Sequence, residues 1–571
     1  MIMKVRGQIL ESIAGLVVSL AVLVYEAKIL LLDTRILLVN DPKLLLNPTR
    51  LAITVAFLAS VIALPVTMAS LPGALSELIA LYRRYALRSL RRVNISSIRL
   101  KLSLTSFSIP LATLAIVATL IYVKNPLLLL ASSIPLILIV LLLLEPLLKV
   151  WIHAKALENE LPWFVVLLGL VEEAGVDVAY LFRRIRETRI LPAIAKELDV
   201  VDRDVKLYRK TLVDALLDRA KHSPCNQFRR FLVGYATRLR AGKRAIYWIR
   251  TWISEELVRT ELSMRMFSER VVLIICQLAA ALYLLLPLIA SALYILNLNL
   301  VISLSVLGTP LLVALACLLK PRSIEESLRS PYAWIPLIAY LALILVVGKI
   351  LPRNGSFIAW CIAIALSIPI LSRLRTAERM RKYSLHLLEF VIELRRAGVD
   401  VVRALDYART RFDDRFSEYL LNVLTLVKNG TPLSIASTMV RIPSRTLQLV
   451  LFALGIVHES GTRSLAPLQS FYETVRRIML EEDSARRLAL IFDAFAIVNV
   501  FVVAWCSQTM SALYQALPQS FASPPSLHML IPIAAAGYAF VSSTVRRGAP
   551  VCDEYHALLA FSSHIALLAF A

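Results

Sequence analysis

Ten stretches of this chain are apolar enough, and nearly all long enough, to cross a lipid bilayer as helices. A helix needs about 20 apolar residues to span a hydrocarbon core about 30 Å thick. The stretches fall at about 9–32, 51–71, 104–123, 127–148, 271–296, 300–319, 332–351, 356–372, 488–513 and 526–545. The eighth is short, and the first carries Glu26 and Lys28. Of 571 residues, 58% are hydrophobic and 18% charged, well short of the quarter expected in a soluble protein. Disorder is excluded as well, because it requires low hydrophobicity. The expected fold class is all-α: a polytopic membrane protein with about ten transmembrane helices. Lys4 and Arg6 precede the first stretch without a small-residue cleavage site after it, so it reads as a retained span.

The net charge of +23 then becomes a topology signal. The loop at 73–103 holds Arg83, Arg84, Arg88, Arg91, Arg92, Arg99 and Lys101 against Glu77 alone, which places it in the cytoplasm. Alternation from there puts the N-terminus, 149–270, 320–331, 373–487 and the tail inside. The loops left outside are short and nearly neutral. The inner pieces carry +21 of the +23, so ten spans satisfy the positive-inside rule without an offending loop. The apolar tail from Ala557 to Ala571 is too short for a span and reads either as an interfacial helix or as a half-span. The expected location is the cell membrane.

Regions 150–270 and 373–487 show apolar residues at helical spacing, such as Phe231, Leu232, Tyr235 and Leu239, or Leu447, Leu451, Leu454 and Val457. Both are expected to be cytoplasmic helical bundles, and they repeat each other. Ala-Gly-Val-Asp-Val occurs at 174–178 and at 397–401. Pro224 and Gly242 are separated by the same interval as Pro443 and Gly461. Gly175 and Gly398 suit the left-handed position that ends a helix. Asp177 and Asp400 then suit the N-cap of the next. Pro224, after Ser223, suits a first helical turn, with Gly242 at that helix's end. In the second copy Ser444 serves as the cap. The chain thus reads as two N-terminal spans and a basic loop (1–103), a span pair (104–149), a bundle (150–270), four spans (271–372), a second bundle (373–487), a span pair (488–545) and the tail (546–571). The two halves are parallel repeats.

This pattern resembles the type II secretion system F-domain family. Two such domains in one polytopic chain look like the archaeal version, the platform protein of archaella and archaeal type IV pili. The resemblance covers roughly 104–545. It implies a non-catalytic inner-membrane platform whose bundles face a hexameric secretion ATPase and whose spans contact pilin or archaellin transmembrane helices, coupling the ATPase to pilin insertion into the filament. It implies no nucleotide site, no cofactor and no metal, and by analogy a homodimer beneath the motor.

The residues themselves carry no catalytic motif. Ala241-Gly242-Lys243-Arg244 lacks the upstream Gly and following Ser or Thr of a phosphate loop, and His458-Glu459 runs into Ser460-Gly461 without a second His. No GxSxG occurs. The six cysteines form no CxxC pair. Glu145 and Asp493 lie in or near spans, where acids are costly and often functional, although snorkelling or a salt bridge is the plainer reading. The basic run Arg373, Arg375, Arg379, Arg381 and Lys382 abuts the eighth span and is expected to meet anionic lipid. Arg183, Arg184 and Arg186, with Arg229, Arg230, Arg240, Lys243 and Arg244, lie beside the repeated corners. They are either a solvated helix face or an electrostatic dock for an acidic surface of the ATPase. Nucleic acid is not expected, since no aromatic residues interleave the basic ones. The alternative function is a secondary transporter built from parallel repeats, which would concentrate polar residues and broken helices in its spans.

Overall fold

The computed structural model describes residues 88, 126–242, 245–285, 298–320, 325, 331–350, 355–462, 464–488, 490–516 and 530–570. The first three expected spans lie outside the described residues, as does the basic loop apart from Arg88. Every regular element among the described residues is a helix, and no strand occurs among them.

Six helices follow one another in each copy of the repeat. In the first they are α1 (Pro126–Ala174), α2 (Val178–Thr188), α3 (Pro192–Tyr208), α4 (Leu212–His222), α5 (Asn226–Arg240) and α6 (Ile246–Met266). A π-helical turn, Phe267–Val271, leads into α7 (Val272–Ala280), a second turn of that kind covers Ala281–Leu285, and α8 (Leu298–Leu319) and α9 (Ile335–Ile350) follow. The second series is α10 (Gly355–Arg396), α11 (Val401–Arg409), α12 (Asp414–Lys428), α13 (Leu433–Met439), α14 (Arg445–Glu459) and α15 (Ala466–Leu488). The chain closes with α16 (Leu490–Ala516), α17 (Leu530–Arg547) and α18 (Glu554–Phe570). The opening helix of each series is continuous with the apolar run before it. α1 passes through 149 and α10 through 372 without a break, so no linker separates apolar run from bundle. The second, third and fourth helices are each shorter in the second copy, by two, two and four residues.

The chain divides into two compact units, residues 1–156 with 218–229, and residues 157–217 with 230–571. In the first unit Lys149 pairs with Glu145 one helical turn away, which is the salt-bridge reading of that acid. Cys225 and Phe228 are buried, and the Cys225 Sγ accepts the Phe228 N–H at 3.5 Å at the start of α5.

In the second unit, Phe231 centres an aromatic cluster. Phe164 and Trp252 meet it edge-on, and Tyr235 and Trp248 stack on it with centroids 6.0 and 5.4 Å away. The second copy is organised around α14, buried from Thr446 to Val457 and apolar round its circumference. α10, α11 and α13 pack on it. A separate apolar cluster joins α7, α8, α9, the start of α10, α16, α17 and α18. The tail is therefore a helix packed against α16 and α17. Its turn is fixed by buried Asp553, which accepts from Arg546, lies 3.6 Å from Arg547, and meets His556 Nδ1 at 2.6 Å. Among the described residues α10 is the helix long and apolar enough to cross a membrane; shorter apolar stretches occur at Leu273–Tyr283, Ser305–Leu319, Tyr332–Ile344 and Ala496–Cys506.

Candidate functional site

The repeated corners are built alike. Gly175 and Gly398 have φ of 72° and 83°, a left-handed backbone that an L side chain resists. Two residues on, Asp177 Oδ1 accepts the Ala179 N–H at 3.0 Å and Asp400 Oδ2 accepts the Val402 N–H at 3.2 Å, each capping the next helix. Gly242 and Gly461 also lie at positive φ, 63° and 65°. The first copy differs from expectation at its proline, while the second copy has the expected Ser444 cap. Pro224 and Pro443 stand outside their helices, and the capping side chain is the residue after each: Cys225 in one copy, Ser444 in the other, whose Oγ accepts the Leu447 N–H at 3.2 Å. Ser223 makes no cap. The cap must lie immediately before the first helical residue to reach the orphan N–H groups, and proline there fixes only the chain's approach.

The corners of the two copies meet at Glu459, the last residue of α14. Its carboxylate accepts the Ser434 N–H at 2.8 Å and the Ser434 hydroxyl at 3.0 Å, at the start of α13. From the first copy, the Tyr180 hydroxyl donates to it and Arg184 Nη2 lies 3.3 Å away. Burial and the Glu459 bond both push the Tyr180 phenol up, so it stays a donor. Beside this junction Thr462 Oγ1 donates to the Ala174 carbonyl at 3.0 Å, and Arg395 donates to the Thr462 carbonyl. Asp400 also meets His458 Nδ1 at 3.2 Å. Burial raises its carboxyl, but His458 and the Val402 and Val401 N–H groups outweigh that and hold it below the usual carboxylate range.

At the other end of α14, Glu325 accepts from Ser444 Oγ at 2.6 Å, from Thr446 N at 2.9 Å and from Arg445 N at 3.1 Å. This residue of the 320–331 segment supplies a carboxylate to the positive end of the helix. Buried Glu160 does the same for α3, accepting from Ala193 N and Ile194 N at 2.9 Å each. Burial pushes Glu160 up to about 7, while those N–H groups, Arg445 and Lys196 pull it down.

Three of the seven arginines singled out beside the repeated corners are engaged within the chain. Arg184 is held by Glu459, Arg186 by Asp199 and Asp202 at 3.0 and 2.8 Å, and Arg240 by Asp214 at 2.6 Å. Arg183, Arg229 and Arg230 are exposed. Lys243 and Arg244 lie outside the described residues, and Asp493 sits on α16 with its side chain outside the description. In the basic run at 373–382 that was expected to meet anionic lipid, Arg381 is buried and donates to Asp483, so it is a packing residue.

Sequence reasoning missed Glu459, Tyr180, Glu160 and Glu325. Glu459 had a readable signal. At the interval of 219 residues that separates Gly242 from Gly461 its counterpart is Arg240, a charge of opposite sign. Such an inversion between duplicates marks a position with a new partner. No protein-family model matches the chain, and no curated protein and no solved structure matches it.

Proposed function

We propose that this chain is a membrane-embedded, non-catalytic platform of a type IV pilus-like assembly machine. Its two helix series couple a cytoplasmic hexameric ATPase to insertion of pilin-type subunits from the bilayer. The observation that carries the reading is the duplicated corner, locked copy to copy at Glu459, with each copy rooted in a helix continuous with an apolar run. A scaffold that transmits force needs that continuity and that rigidity.

The ten-span arrangement is part of the proposal. It is supported by which residues the apolar cluster buries. Ala534, Ala535, Ala536, Ala539, Ser305 and Thr309 are inside, and Gly537 leaves no room for a Cβ beside Tyr283. Leu311, Ile338, Ile368, Trp505 and Phe561 are each at least 60% exposed. Small residues between helices and large apolar ones outside suit a lipid solvent and are unfavourable in water. On this reading α18 adds an apolar helix to the set, and the bonds from α14 to Glu325 support a topology in which that residue and the second bundle share one side.

With Arg184, Arg186 and Arg240 engaged internally, Arg183, Arg229 and Arg230 are the residues proposed to meet an acidic motor surface. The test is co-purification of the full chain from native membranes. A hexameric ATPase is expected with it, reduced at high salt and by Arg183→Glu or Arg230→Glu. Absence of any ATPase under low-salt, crosslinked conditions sinks the platform reading. The second reading, a transporter, draws on the π-helical turns around α7 and the Tyr283–Thr309 hydrogen bond of 2.8 Å inside the cluster. Solute uptake by reconstituted vesicles would favour it.

A further inference from the structure

We propose that Asp553 and His556 form a buried proton-binding site that fastens α18 to α17, so that gain and loss of one proton seats and releases that helix. The site lies at the turn between the two helices, and both side chains are 1% exposed. Each ring nitrogen of His556 faces an oxygen. Nε2 meets the Ala539 carbonyl on α17, and Nδ1 lies 2.6 Å from Asp553 Oδ1. The Asp553 N–H also points at Nδ1, at 2.9 Å. A carbonyl oxygen only accepts, so Nε2 carries a proton. A nitrogen and a carboxylate oxygen 2.6 Å apart share a hydrogen, so a second proton lies between Nδ1 and Oδ1. A neutral imidazole beside a carboxylate holds one proton, so the pair in this geometry holds one more.

The charges around the pair leave that proton as the exchangeable one. At the end of α17, Arg546 donates to Asp553 Oδ2 and Arg547 lies 3.6 Å from the same oxygen. Lys320, just after α8, donates to the Arg546 carbonyl at 3.2 Å. On α18 the other titratable residues are Glu554, Tyr555 and His564, and the Tyr555 ring lies 4.4 Å from the Arg546 guanidinium. α10 and α16 also pack on α18. The sequence of α16 has no charged residue besides Asp493, and that of α10 has none before Arg373. Oδ2 is thus balanced by guanidiniums, which do not deprotonate in proteins.

Without the shared proton, two lone pairs face each other at 2.6 Å. His556 must then turn or withdraw, and either motion gives up the Ala539 carbonyl or the Asp553 carboxylate. The neutral bonds of the turn stay. Ser543 Oγ lies 2.9 and 2.5 Å from the Ala549 and Val551 carbonyls, and the Cys552 N–H donates to Ser367 Oγ at 3.1 Å. Those bonds tie the turn to α17 and α10. α18 itself is held by His556, by apolar packing at Leu559 and Ala560, and by His564 stacked on Phe357. The tie to α17 is therefore present while the pair holds its proton and is lost as pH rises through the titration of the pair. The inference uses contacts inside the apolar cluster and stands apart from the platform reading.

The experiment follows hydrogen exchange of the full chain in detergent, corrected for the intrinsic chemical rate, from about pH 5 to about pH 9, a range that brackets the ordinary imidazole value. Protection of α18 is expected to fall by about tenfold or more as pH rises, the size of one hydrogen bond to a charged group, and to return on acidification. Buried α14 should keep its protection throughout. Asp553→Asn sets a fixed amide hydrogen opposite Nδ1 and is expected to keep α18 protected across the range. His556→Ala is expected to leave α18 poorly protected at every pH. Protection of α18 that is flat with pH in the parent chain, Asp553→Asn titrating as the parent does, or loss of α14 in step with α18 overturns the proposal.

Discussion

Gly455 shows how much one missing carbon can decide. It lies within buried α14, where an added Cβ would collide with the backbone nitrogen and Cα of Ser434 at the start of α13. Alanine is the better helix former by about 1 kcal/mol, but backbone cannot swing aside as a side chain can, and overpacking costs about 1–3 kcal/mol. Gly455→Ala is therefore expected to destabilise by up to about 2 kcal/mol, read as a lowered Tm in detergent; a raised Tm refutes the close approach. Glu160 makes a prediction of opposite character. With its carboxyl raised to about 7 by burial, the folded chain holds this proton more tightly than the unfolded chain, whose value lies near 4.5. Stability from this group is full below about pH 4.5 and is lost as pH rises to about 7, a fall on the order of 3 kcal/mol. Glu160→Gln retains an amide oxygen for Ala193 or Ile194 and removes the titration. Its Tm is expected to lose the decline between pH 4.5 and 7 that the parent shows; parallel curves would contradict the assignment.

At the scale of the element, the two N-caps are a matched pair with unequal surroundings. Asp177 accepts one backbone N–H, while Asp400 accepts one and also bonds His458, whose counterpart in the first copy is Leu239. Asp177→Ala is expected to cost about 1 kcal/mol. Asp400→Ala should cost about 1–2 kcal/mol, because it also strips His458 of an acceptor. The Asp400 carboxyl is held low, so its extra contribution is present above the ordinary carboxylate range and disappears as pH falls through the depressed value. Chemical denaturation of the two variants at pH 7 and in acid below the ordinary carboxylate range checks this: the gap between them should narrow in acid, and a constant gap excludes the His458 contribution. These corners were legible because glycine at positive φ and aspartate before a helix obey rules spanning four residues. The apolar runs were legible for a similar reason. The limits of the helices were less so. Nothing in the composition at 149 or 372 marks the passage from apolar run to bundle, because α1 and α10 do not break there. Ser444 caps the second copy as expected, whereas in the first copy the cap lies at Cys225 and not at Ser223, because proline constrains its own φ and leaves the capping bond to its neighbour.

At the scale of the molecule, the informative residues are those that local rules cannot find. Tyr180 and Glu459 are 279 positions apart, and no periodicity or turn preference joins them. Only the inversion from Arg240 to Glu459 between duplicates hinted at the contact. The same helix carries a partner for the first copy at each end: Glu459 against Tyr180 and Arg184, and Arg445 within electrostatic reach of Glu160. Glu459 is nearly buried, so truncating it leaves the Ser434 N–H without its acceptor and Arg184 with only the Tyr180 hydroxyl and the exposed Glu187. Glu459→Ala is expected to cost about 2–3 kcal/mol. Arg184→Ala alone should cost about 1 kcal/mol, since that side chain also reaches the exposed Glu187. The double variant should fall short of the sum, because either change removes the same pair. Hydrogen exchange separates a local defect from loss of the joint between copies. If α14 locks the copies together, Glu459→Ala speeds exchange in α2 as well as in α13, two helices more than 200 residues apart in sequence. If the junction is only a cap for α13, α2 keeps its protection, and the two copies cannot be the single force-bearing body that the platform requires.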